Sequence, residues 1–303
     1  MRLKFFALLC AFSAVLSGCS EMKQTSESQI APDMAGEAIS TDGLKIAYQS
    51  AGFHRVSSPA NSRPVVVLVH GWSCNMDFWR EQIDALADAG YRIVQLDLAG
   101  HGQSESGRET WRVADFGNDV AAVIEHLSVD KAIVVGHSMG GLVALQTAAQ
   151  LPDTVVGVIA VDSLHDAEQR YDPAQSDAMI QPFKGNFPAS VGGMFTGMAG
   201  PAVTPELRDW IIENGTKGDP QAAIGLLYDY AKLDSKAMFQ AAGVPIRAIN
   251  AAASPTQPPT MIERNQQYAD FDATLIDGVG HFLQLEDPER VNTQLLKYLA
   301  EFH

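Results

Sequence analysis

The amino-acid sequence predicts an α/β fold: a mostly parallel central sheet flanked by helices, with a helical lid inserted late in the chain. Three observations carry this. Short unbroken runs of Val, Ile and Leu, the pattern of strands buried on both faces, alternate with stretches of helical spacing. Around Ser138 a β-branched run, a glycine-bounded turn and an Ala- and Leu-rich stretch follow one another directly. After Asp162 the alternation stops, and it resumes only near Val244.

Taken in order, residues 37–52 contain two short strand candidates about Asp42-Gly43, a hairpin signal. Residues 57–64 are a loop and 65–69 a continuous apolar strand. Residues 79–89 have helical spacing with Gly90 as the stop. Then come a strand at 92–96, a helix at 113–127, a strand at 132–135, a helix at 141–150 ended by Leu151-Pro152, and a strand at 155–161. Residues 163–241 scatter Pro, Gly, Met and Phe among helical stretches without a strand run, and are expected to form the lid. The sheet resumes at 244–250, adds a last strand at 273–276, and an amphipathic helix at 290–302 closes the chain. The core is thus expected in two parts, 37–162 and 242–303.

The chain has 303 residues, 46% of them hydrophobic, which is enough for one large domain with an insertion. A formal net charge of −15 repels a phosphate backbone, so nucleic acid is not an expected partner. No P-loop, dinucleotide fingerprint or Cys/His metal cluster is present, and His165-Asp166 is read as two polar loop residues. Three cysteines cannot make a disulfide framework, and only Cys74 falls in the folded body, where it is read as a packing residue.

The first eighteen residues read as an export signal: Arg2 and Lys4 supply the positive end and 5–16 the apolar run, too short for a comfortable membrane span. The run ends in Leu16-Ser17-Gly18-Cys19, which resembles the bacterial lipoprotein box. That resemblance implies cleavage before Cys19 and its lipidation, so that acyl chains such as palmitate hold the protein to a membrane. Ser20, where Asp would favour inner-membrane retention, implies sorting to the outer membrane, facing the periplasm. Residues 19–36 are polar and aperiodic, as in a flexible tether.

Chemistry concentrates in Gly136-His137-Ser138-Met139-Gly140, a G-x-S-x-G set between strand and helix. A turn this tight leaves almost no room for side chains two residues before and after the serine. The stretch closely resembles the nucleophile elbow of the α/β-hydrolase fold family. Gly278-Val279-Gly280-His281, with Glu286 and Pro288 beyond it, resembles the family loop that carries the catalytic histidine. His70-Gly71-Trp72 resembles its oxyanion loop, and Asp97 to Ser104 its D-x-x-G-x-G-x-S turn, read as structural. By this resemblance Ser138 is the nucleophile, His281 the base, the N–H groups of Met139 and Trp72 the oxyanion donors, and His70 a support for its loop; no metal or cofactor is implied.

The acid departs from the pattern. After the strand at 244–250, where most of the family carries it, residues 250–259 contain neither Asp nor Glu. Asp162, just past the strand that follows the elbow helix, stands where some relatives supply the acid, and it is assigned here. Asp277 is the rival, and a helix cap or turn residue the bland alternative for Asp162. The expectation is a serine hydrolase acting on an ester, thioester or amide of a small, apolar molecule. A serine at this position argues against the aspartate-dependent relatives, the haloalkane dehalogenases and epoxide hydrolases. A ligand-binding protein on the same fold, motivated by the displaced acid, and a cofactor-free oxygenase are the alternatives.

Overall fold

The computed structural model describes residues 33–55, 63–170, 173–201, 203–254 and 257–302. Strands β1 (Met34–Ile39) and β2 (Lys45–Ala51) form an antiparallel hairpin, turned by Gly43 at φ +88. Strands β3 (Val65–Val69), β4 (Ile93–Leu96), β5 (Ala132–His137), β6 (Val155–Val161), β7 (Ile246–Ala251) and β8 (Phe271–Ile276) follow. All eight join in one sheet of order β1-β2-β4-β3-β5-β6-β7-β8, parallel from β4 onward. The expected tether gives way to the sheet earlier than its sequence suggested. Met34 to Gly36 already pair with Ser50 to Tyr48, in an edge strand that buries only Ala38 fully. The expected signal peptide, and Cys19 with it, lie outside the described residues.

Why the central strands are apolar throughout is plain from their two faces. Val65, Val67 and Val69 of β3 enter one core cluster, while Val66 and Leu68 enter the other. A strand with helices on both sides has no polar face, and each such side chain contributes about 1.5–3 kcal/mol by leaving water. The first face is covered by α2 (Val113–His126) and α3 (Met139–Gln150), through residues such as Phe116, Val120 and Val143. The second is covered by α1 (Arg80–Asp88) and the C-terminal helix, through Ile83, Leu86, Leu295 and Leu299.

Between β6 and β7 lie α4 (Pro173–Gly185), α5 (Phe187–Met198), α6 (Pro205–Gly215), α7 (Pro220–Tyr230) and α8 (Ser235–Ala242). Local chemistry starts them. Asn186, Thr204, Asp219 and Asp234 each accept a backbone N–H of the first turn, and a proline follows the first three within that turn. Helices α4 to α7 pack on one another, whereas α8 packs on α3 with Met238, Phe239 and Ala242 in the main core. The insertion over the sheet therefore ends with α7, short of the expected boundary at 241, because the apolar face of α8 is buried with the sheet. A short helix, α9 (Ile262–Asn265), lies between β7 and β8, and after β8 come the short α10 (Leu283–Glu286) and the long C-terminal α11 (Pro288–Leu299).

Candidate active site

Ser138 stands between the last residue of β5 and the first of α3, at φ 53 and ψ −119. Such a conformation costs a residue with a Cβ about 1–3 kcal/mol and persists only where its surroundings hold it. Here the Ser138 N–H donates to Val161 O at 2.9 Å, and the Ser138 carbonyl accepts from Ser163 Oγ at 2.6 Å and from the Gly141 N–H at 3.0 Å. A Cβ on Gly136 would collide with the Gly140 carbonyl, so the turn closes only around glycine.

His281 follows β8 on a loop turned by Gly278 at φ 76. Its Nε2 lies 2.9 Å from Ser138 Oγ and its Nδ1 2.6 Å from Asp162 Oδ2. Nδ1–H donates to the carboxylate, which leaves Nε2 to accept the serine proton. Five further hydrogen bonds hold the loop. The His281 N–H donates to Met198 O at 2.9 Å, and its carbonyl accepts from His137 Nε2 at 2.8 Å. Glu286 accepts the N–H groups of Gly280, Phe282 and Gly200 at 2.5, 3.1 and 3.2 Å, tying the loop to the chain that leaves α5. Burial pushes the Glu286 carboxyl up, against those three donors. Burial also drives the pKa of His137 down to about 3, so it remains a neutral donor.

Asp162 is 1% exposed, and its second oxygen accepts the Ala251 N–H at 2.9 Å. Burial by itself would raise its pKa. The hydrogen bond and charge of His281, the neighbouring His165 and the Ala251 N–H outweigh burial and hold the carboxyl below its ordinary value. Asp162 and Leu164 both have positive φ, 44 and 53, so the loop leaving β6 is contorted. Two buried asparagines clamp it. Asn250 accepts from the Ser163 N–H and donates to the Ser163 carbonyl, at 3.1 and 3.0 Å. Asn265 donates to the carbonyls of Leu164 and His165 and accepts the Ala167 N–H.

Gly71 brings the β3 loop against the elbow: a Cβ there would lie 2.9 Å from His137 Nδ1 and 3.1 Å from Ser138 Cβ. Trp72 follows it directly, and Met139 opens α3, where the first amides have no acceptor within the helix. The Trp72 indole donates to Ala223 O of α7 at 2.8 Å and meets Phe183, Phe187 and Phe195 edge-on, which seats the insertion over the site. His70 supports the same loop: Nδ1 donates to Gly71 O at 2.8 Å and Nε2 accepts the Leu98 N–H at 3.0 Å. Buried Cys74 has its thiol pKa pushed far up by burial, which suits packing and not nucleophilic attack.

The remaining candidates divide. Asp97 accepts the N–H groups of Met76 and Gln103, both at 2.7 Å, while Ser104 Oγ donates to Asp97 O, so both ends of that motif secure backbone. Asp277 is exposed, and its carbonyl is bound by Arg290, away from any carboxylate role at His281. His165 is on a loop, as its sequence suggested, yet it is only 7% exposed, while Asp166 pairs with Arg264 at 2.7 Å. Asn250, Asn265, His137 and Glu286 were not singled out for the site. His137 and Glu286 stood inside the elbow and histidine-loop motifs without a role of their own, and Asn250 was visible as a polar residue ending an apolar strand. A cavity of about 620 Å³ opens at Ser138, walled by Leu142, Met179, Met194, Phe195, Leu227 and Phe239.

Residues 64–288 match the family model of the alpha/beta hydrolase fold, and the chain belongs to that family. Among individual proteins, it is 39% identical over 107 residues to epoxide hydrolase B of Mycobacterium tuberculosis, a match that spans 35% of this chain and 30% of that relative. Among solved structures it is similar to an esterase from Exiguobacterium antarcticum, with a TM-score of 0.79 and 21% identity over 88% of this chain and 100% of the other. A bromoperoxidase from Bacillus anthracis gives a TM-score of 0.76, also at 21% identity, over 88% and 100% of the two chains. At such identities the likeness is one of fold.

Proposed function

We propose that the protein is a serine hydrolase that cleaves an ester, thioester or amide of a small apolar molecule through an acyl-enzyme on Ser138. The observation that carries this reading is the hydrogen-bonded chain from Ser138 Oγ through His281 to Asp162, at 2.9 and 2.6 Å. Ser138 Oγ attacks the carbonyl carbon while His281 Nε2 takes its proton, and Asp162 stabilises the imidazolium that forms. The carbonyl oxygen becomes an anion held by the N–H groups of Met139 and Trp72, each such donor supplying about 2.7–4 kcal/mol in a comparable site. The carbonyl re-forms, the leaving oxygen, sulfur or nitrogen departs with the proton from His281, and water repeats the sequence to release the acid.

Supporting the substrate class is the wall of Met, Leu and Phe around the cavity, which is of a size suited to a small ligand. The solved esterase of the same fold agrees with this reading, and the named epoxide hydrolase is the competing precedent. Ser138 favours the former, since its neutral hydroxyl needs the base that stands beside it. The displaced acid was the motive for the ligand-binding alternative, and Asp162 against His281 weakens that motive. Export and lipidation at Cys19, with anchorage to the outer membrane, belong to the same proposal and are tested by metabolic palmitate labelling of wild type and Cys19→Ala.

The deciding experiment combines a fluorophosphonate probe with a panel of acyl esters of increasing chain length. Stoichiometric labelling of Ser138, and turnover that Ser138→Ala abolishes, are expected. A folded protein whose Ser138 neither labels nor turns over any ester refutes the reading.

A further inference from the structure

Asp162 has a second imidazole beside it. His165 is 7% exposed, and its Nε2 lies 3.9 Å from Asp162 Oδ1, whereas His281 meets Oδ2. That Nε2 makes no well-aligned hydrogen bond among the described residues, although the backbone of Asp162 as well as its carboxylate acts on the ring. Which nitrogen carries the proton follows from the other side of the ring. The Asn250 amide is oriented by Ser163: Oδ1 accepts the Ser163 N–H, so Nδ2 is the donor, with one hydrogen on Ser163 O. Its remaining hydrogen faces Thr260 Oγ1 at 2.9 Å and His165 Nδ1 at 3.3 Å. Thr260 Oγ1 lies 3.1 Å from His165 Nδ1, and its hydroxyl hydrogen is free to turn to that nitrogen. The Asn250 amide therefore places a donor against Nδ1, and a neutral ring that accepts there carries its proton on Nε2. Burial lowers the pKa of His165 against the pull of Asp162, which keeps the ring neutral.

We infer that His165 is a positioning residue for Asp162, its Nε2–H dipole stabilising the carboxylate that orients His281. At 3.9 Å the contact is electrostatic, longer than a hydrogen bond, and is strengthened by the low-dielectric surroundings of a buried pair. Asn250 stands on β7, the strand after which most of the family carries its acid; here it sets the tautomer of the histidine that supports the acid from β6. The inference rests on the hydrolase reading for its catalytic consequence, while its structural content is separately measurable.

Two measurements on the full chain test it. Nitrogen NMR of protein with labelled histidine is expected to show His165 protonated at Nε2 and bare at Nδ1; the reverse tautomer overturns the inference. Steady-state kinetics then compare His165→Phe, which removes the N–H, with His165→Gln, which returns one at similar reach, each rate normalised to the Ser138 that fluorophosphonate labels. The Phe variant is expected to lose about tenfold in kcat, with KM within about threefold and the His281 Nδ1–H resonance displaced, and the Gln variant to recover to within about threefold of wild type. A raised KM at unchanged kcat, an unchanged rate, or a Gln variant as impaired as the Phe variant overturns it. A protein with the Nε2–H tautomer that turns over no ester refutes the hydrolase reading alone.

Discussion

Replacing Asp162 by Asn tests the site at its most exacting contact. The backbone tolerates the change, since asparagine is among the few residues at ease with the positive φ of 44 found there. Volume is unchanged, so packing is preserved. The hydrogen-bond direction is not. Oδ1 of the wild-type carboxylate accepts the Ala251 N–H at 2.9 Å, and the amide oxygen of the variant must take that place. The amide nitrogen then faces His281 Nδ1, 2.6 Å from the former Oδ2. Two donors cannot face each other, so Nδ1 becomes the acceptor and the proton moves to Nε2, toward Ser138 Oγ. The base has then lost the lone pair that must take the serine proton. Turning the amide over offers no escape, because its nitrogen would meet the Ala251 N–H. The same substitution in a serine protease lowers kcat by about 10⁴, or roughly 5.4 kcal/mol of transition-state stabilisation, and a loss of that order is expected here. The assay is initial-rate hydrolysis of a short-chain nitrophenyl ester, with circular dichroism to show that the fold is kept. A folded Asp162→Asn protein retaining more than about a tenth of wild-type kcat would refute the assignment, and the tautomer argument with it.

Three further outcomes are expected. Asn265→Ala removes three buried hydrogen bonds to the loop of Leu164 to Ala167 and should lower unfolding free energy by about 3 kcal/mol in urea titration; a loss under about 1 kcal/mol would deny the clamp. Gly71→Ala pushes a Cβ within 2.9 Å of His137 and 3.1 Å of Ser138, and should cut kcat by about 10- to 100-fold by shifting nucleophile or oxyanion loop; unchanged kcat with an unchanged labelling rate would show the contact to be slack. His101, whose folded-state pKa burial lowers from 6.5 to about 4, contributes stability that is present above pH 6.5 and is lost as pH falls toward 4. Between pH 7 and 5 that loss is about 2 kcal/mol, so His101→Gln should lose less stability than wild type by that amount over the interval, and equal slopes would contradict the assigned shift.

Much of the fold was legible because burial on two faces leaves a local mark. The all-apolar run at 65–69 could only be a central strand, and the Gly136-to-Gly140 turn could close only one way. Helix starts in the insertion were marked less plainly, by single caps such as Asn186 and Thr204, so its extent was read some residues long at α8. Of the site, Ser138 and His281 were legible through the resemblance of their glycine-rich loops to those of the family, loops whose tight turns tolerate few other residues. Asp162 was assigned by resemblance to relatives that carry the acid after the strand following the elbow helix, once residues 250–259 proved to hold no carboxylate.

The sequence by itself determined the class of fold, the order of its strands along the chain, and the residue types able to perform acyl transfer. Only the tertiary structure decided which carboxylate meets the imidazole, and what holds that carboxylate in place. Asp162 and His281 are 119 residues apart, and Asn250 and Asn265 clamp a loop 87 to 101 residues before them. No local preference encodes such meetings. They arise because adjacent parallel strands deliver their ends to one edge of the sheet, where buried polar groups must find partners or forfeit the energy of their hydration.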